Sequence, residues 1–99
     1  MPFDLTAGAH RDAIEHEEEV ILQRAADDEA RYPELTRVWF AFYDSPRIDP
    51  DRAGRLAAEC AALAEAGVLD REHIDAARRL ANFFARAAAD GTWVATMSD

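Results

Sequence analysis

Three histidines, one cysteine and a run of carboxylates are the residues of this chain that could do chemistry. His16 and Glu19 stand three apart, which one helical turn would bring together, and His10 lies a turn before Ile14. A di-iron carboxylate centre needs a Glu-x-x-His pair from each of two helices, and the chain has no such pair. No metal or other cofactor is therefore expected. His73 falls in the first turn of a helix, on its apolar side, and reads as partly solvated or bonded to the Gly67–Asp70 loop rather than as a buried base. Cys60 has no base nearby in sequence and reads as a small buried hydrophobe. Asp44, Asp49 and Asp51 invite calcium, but the EF-hand spacing, its glycine and its closing glutamate are missing. There is no glycine-rich phosphate loop, no Gly-x-Ser-x-Gly elbow and no Cys-x-x-Cys pair, so the chain is not read as an enzyme.

The feature that stands out is acidic: Glu15, Glu17, Glu18 and Glu19, continued by Asp27, Asp28 and Glu29. Residues 1–34 carry ten acids and three arginines, a net of −7, against −2 for the rest, and the chain has no lysine. At a formal charge of −9 it would repel a phosphate backbone or an anionic membrane, so direct binding to nucleic acid or membrane is not expected. No apolar run approaches the ~18 residues of a membrane span. The one cysteine cannot form an intramolecular disulfide, and MPFDLTAG lacks the basic start and apolar stretch of a secretory signal, so a cytoplasmic location is expected. An all-arginine basic complement rich in Ala and Asp also suits a GC-rich bacterial genome.

These groups must be held by something, and the composition, 49% hydrophobic and 31% charged with 4 Gly and 4 Pro, favours a globular helical fold. Proline and glycine cut the chain into four segments, which predicts an all-α, four-helix bundle-like domain spanning residues 1–99. The first helix runs over about 7–31, capped by Thr6 and stopped before Pro33, and the second over 33–44. Asp49-Pro50 opens the third, 50–66, which ends at Gly67. Asp70 caps the fourth, 71–90, which ends at Gly91. A short tail with Trp93 and Val94 folds back onto the bundle.

Helical rotation sorts the faces. On the fourth helix Ile74, Ala77, Leu80, Ala81, Phe83, Phe84, Ala87 and Ala88 share one half, and small residues on the third let a neighbour approach closely. The expected core centres on Trp39, Phe42, Leu56, Leu63, Leu80 and Phe84. The first helix offers only a thin stripe of Ile14, Ile21, Leu22 and Ala25, interrupted by Glu18. In the second helix Phe40, and Tyr43 on its flank, are surplus to a simple core. The expected function is a small acidic protein-binding module that inhibits or regulates a basic partner protein. Glu15, Glu17, Glu18, Glu19, Asp27, Asp28 and Glu29 would attract that partner, and Phe40 and Tyr43 would anchor it. In profile alone, without a motif, such a chain resembles immunity proteins and antitoxins, DNA mimicry included. The alternative is a self-associating subunit, a homodimer built on the thin stripe and the surplus aromatics, with a small metal-dependent enzyme behind it.

Overall fold

Phe3, Leu5 and Ala7 alternate with Asp4 and Thr6, a period of two that suits a half-buried strand. In the computed structural model, which describes residues 2–98, this stretch is strand β1 (Phe3–Ala7), and the all-α expectation is corrected to a mixed α/β fold. Gly8, with φ at 61°, begins a two-residue turn that returns the chain as β2 (His10–Ile14). The strands are antiparallel, Ala7 opposite His10 and Phe3 opposite Ile14. The tail does fold back, but as a strand: β3 (Ala95–Ser98) pairs antiparallel with the other edge of β1, giving the order β2-β1-β3.

The helix expected over residues 7–31 is thus replaced by a hairpin, a 3-10 turn (His16–Glu18) and a short helix α1 (Val20–Ala26). Thr6 sits in mid-strand opposite Arg11 and Ala95 instead of capping a helix. The second helix is also shorter than expected, with α2 (Pro33–Phe40) followed by a 3-10 turn over Phe42–Asp44. The last two helices, α3 (Pro50–Glu65) and α4 (Arg71–Asp90), begin at their aspartate caps: Asp49 accepts the Arg52 N–H at 2.8 Å and Asp70 the His73 N–H at 3.0 Å. Gly91, at φ 66°, closes α4 in the left-handed conformation. A Cβ at Gly54 would lie 3.6 Å from that of Ala88, so the small residues of α3 do allow α4 close.

Helices cover one face of the sheet. Phe3, Leu5, Ala7, Ile14 and Val94 join the helical residues in one apolar cluster, and the Phe3 ring stacks on Phe42 at 4.5 Å between centroids. Of the expected core, Phe42, Leu56, Leu63, Leu80 and Phe84 are buried, and Trp39 is packed at the rim. The Pro46–Ile48 segment runs beside β3, where Ile48 and Val94 exchange backbone hydrogen bonds and Thr96 donates its hydroxyl to the Pro46 carbonyl.

Candidate functional site

The seven acids selected from sequence do not share a helix; they divide between the two ends of α1. Glu15, Glu17, Glu18 and Glu19 occupy the turn before it, and Asp27, Asp28 and Glu29 the turn after it. Much of the first group is committed to structure. Glu18 accepts the Glu15 N–H at 3.0 Å and a fork from Arg79 at 2.9 and 3.0 Å, and these arginine bonds hold its carboxyl below the usual range despite partial burial. Glu19 meets His16 at 3.2 Å. Glu17 is exposed, and its carbonyl accepts from His73 Nε2 at 2.8 Å. His73 Nδ1 lies 2.6 Å from Asp70 Oδ1, so its ring ties the start of α4 to the acidic turn as well as to its own cap.

The second group is more open. Asp27 pairs with Arg24 at 3.5 Å and Asp28 with Arg31 at 3.8 Å, both on the surface, where such pairs hold weakly. Glu29 has no ion-pair partner among the described residues, and it lines a groove of ≈ 440 Å³ with Pro33, Thr36, Arg37, Phe40 and Asp44. Phe40 is 75% exposed and Tyr43 80%, as expected of aromatics surplus to the core. The structure therefore brings Glu29 and Phe40 to one site and leaves the Glu15–Glu19 turn at the other end of α1. Asp44 belongs to the groove, although its place in the sequence suggests only a helix end or a calcium ligand. No local pattern marks it, because its place depends on α2 stopping at Phe40.

Two polar arrangements, both centred on the start of α2, hold that helix and with it the groove wall. Glu59 of α3 accepts the N–H groups of Glu34 at 3.1 Å and Leu35 at 2.9 Å, capping α2 from another helix, and burial pushes its carboxyl upward in pKa. Glu34, itself buried, meets Arg52 at 3.0 Å, Arg55 at 3.2 Å and Arg37 at 3.8 Å. The sequence gives no sign of this pairing, which spans 18 residues to Arg52.

The stripe Ile14, Ile21, Leu22 and Ala25 lies inside the core, so the dimer face expected on it is not available. Cys60 is fully buried and its thiol is pushed up to about 12 by burial, which keeps it protonated and inert as a nucleophile. Among the described residues no three His, Cys, Asp or Glu side chains converge as a metal site would require, and no helix is long and apolar enough to cross a membrane. The groove sets the exposed Phe40 ring beside Glu29 and Asp44, which have no ion-pair partner among the described residues, with Arg37, paired to Glu34 at 3.8 Å, on the same wall. No family model, curated protein or solved structure matches the chain.

Proposed function

We propose that this protein is a cytoplasmic binding module that inhibits or regulates a basic partner, and that it receives an arginine or lysine side chain of that partner in the groove at Phe40. The observation that carries this reading is the exposed Phe40 ring sharing a groove with Glu29 and Asp44, neither of which has an ion-pair partner among the described residues. A cation there is attracted by both carboxylates and by the ring face, against the Arg37 guanidinium on the groove wall, whose charge Glu34 partly offsets. Asp27, Asp28 and Glu17 add long-range attraction, which raises the association rate more than the affinity. Tyr43, 80% exposed, does not line the groove and is a second exposed aromatic for the partner to meet.

The test is nuclear magnetic resonance titration with short arginine-rich peptides and acidic peptides of the same length. The arginine-rich peptides should shift the amides of Glu29, Phe40 and Asp44. Phe40→Ala should abolish those shifts, and Glu29→Arg should slow association and flatten its dependence on salt. Equal shifts from the acidic peptides, or none from the basic ones, would overturn the reading.

A further inference from the structure

Between the edge strand β2 and the helix α4 lies a hollow of ≈ 250 Å³. Its helical wall is Arg79, Asn82, Phe83 and Arg86, at i, i+3, i+4 and i+7, which places them on one stripe of α4. Its strand wall is His10, Arg11 and Asp12. Three arginines against one aspartate give the lining a net of +2 with His10 neutral, on a chain of net −9. The charge here is opposite in sign to the molecule's.

The one carboxylate is already occupied. Asp12 accepts the Ala13 N–H at 2.7 Å and Arg79 Nε at 2.9 Å, and Arg79 is held in turn by its fork onto Glu18. The other two arginines are not held in this way. Arg11 has no ion-pair partner among the described residues, and Arg86 has only Asp90 at 4.0 Å, with both side chains more than half exposed. The Asn82 amide and the His10 ring make no side-chain hydrogen bond among the described residues. Arg11, Arg86, Asn82 and His10 thus turn donors on one hollow.

Such a set selects an anion with several acceptors. A phosphate monoester carries about −1.5 to −2 at neutral pH and three strong acceptor oxygens, which suits two free guanidinium groups better than the single charge of a carboxylate. Clefts that take drug-sized ligands run from about 300 to 1,000 Å³, so the occupant is smaller than those. Phe83, half-buried and 5.6 Å from the Phe84 ring between centroids, gives the hollow an apolar wall. We propose that this hollow binds a small phosphate monoester, its phosphate between Arg11 and Arg86 with Asn82 and His10 donating, and its organic group against Phe83. The hollow shares no lining residue with the groove at Phe40, and either site can fail without the other.

Nuclear magnetic resonance titration with phenyl phosphate, inorganic phosphate and benzoate tests it. Phenyl phosphate at millimolar concentration should shift the Asn82 side-chain amide and the backbone of His10 and Arg11. Inorganic phosphate should bind more weakly, and benzoate more weakly still. Arg11→Gln and Arg86→Gln should each weaken binding about tenfold, the loss of one charge-assisted hydrogen bond. Arg78→Gln removes the same charge from an exposed position of α4 that does not line the hollow, and should change affinity less than about twofold. Phe83→Leu should bring phenyl phosphate down to the level of inorganic phosphate and leave the latter unchanged. Unchanged melting temperatures confirm that the arginine variants fold, as expected of exposed positions. An Asn82 amide that does not move, benzoate that binds as tightly as phenyl phosphate, or equal losses from Arg78→Gln and Arg86→Gln would each overturn the proposal. A phosphotyrosine peptide that binds more tightly than phenyl phosphate would overturn the small-molecule assignment.

Discussion

Arg79 and Glu18 lie 61 residues apart in the chain and meet as a fork, with Nη1–Oε2 at 3.0 Å and Nη2–Oε1 at 2.9 Å. The same guanidinium donates from Nε to Asp12 at 2.9 Å and from Nη2 to the Ala13 carbonyl at 2.8 Å. One side chain of α4 thus pins both the edge strand β2 and the acidic turn. Planar, five-donor geometry suits arginine to this task, and a lysine would make fewer of the bonds.

Arg79→Ala should destabilise the fold by about 1–2 kcal/mol in urea, a figure kept low because Arg79 is 44% exposed and partly screened by solvent. Arg79→Lys should recover only part of the loss. A double-mutant cycle with Glu18→Gln should show positive coupling, and strict additivity would contradict a shared fork.

His73 makes stability depend on pH. Burial works against its charged form, but the Glu17 carbonyl and the Asp70 carboxylate, with Glu72 nearby, outweigh it and raise the pKa above 6.5. Both ring nitrogens face acceptors, which only the imidazolium can satisfy by donating twice. Its contribution is present in full below the unfolded-state value and is lost as pH rises through the raised folded value. The stability difference between wild type and His73→Phe should therefore shrink from pH 6 to pH 8, on the order of the histidine range. A difference that stays constant or grows would show that the ring is held neutral.

Phe3→Ala should cost about 3–5 kcal/mol, because Phe3 is fully buried and stacks on Phe42. If residues before 7 lay outside an all-helical bundle, the same change would cost little. Chemical denaturation of this variant is thus a direct measurement of the sheet's place in the core.

Phe40→Ala and Tyr43→Ala should leave stability within about 0.5 kcal/mol, since both rings are largely exposed. A larger loss would mean that these aromatics serve the fold, and the groove would lose its candidate anchor.

Helices α3 and α4 were legible because their signals are local. Asp49-Pro50, Asp70, Gly67 and Gly91 act on the backbone within a few residues, and the rotation of α4 picks out its inner side, with Ala77, Leu80, Phe84 and Ala87 buried and Ile74, Ala81, Phe83 and Ala88 half-buried, though it misses the buried Ala76. The exposure of Phe40 followed in the same way, from its angle to the core face of α2. In the amino-terminal third the alternation of Phe3, Leu5 and Ala7 marks β1, but nothing local marks the strands that pair with it. His10-Arg11-Asp12-Ala13 are poor strand formers, and a helix would also have stacked Ile14, Ile21, Leu22 and Ala25 on one stripe. Those four residues are buried, but from a strand and a short helix. β2 owes its form to hydrogen bonds from β1 and to Arg79, and β3 to a partner strand some ninety residues earlier in the chain. Helix caps and helical faces are properties of neighbouring residues, which a sequence displays. Strand pairing, the Arg79 fork and the meeting of Glu29 with Phe40 are contacts between distant residues, and they exist only once the chain has closed on itself.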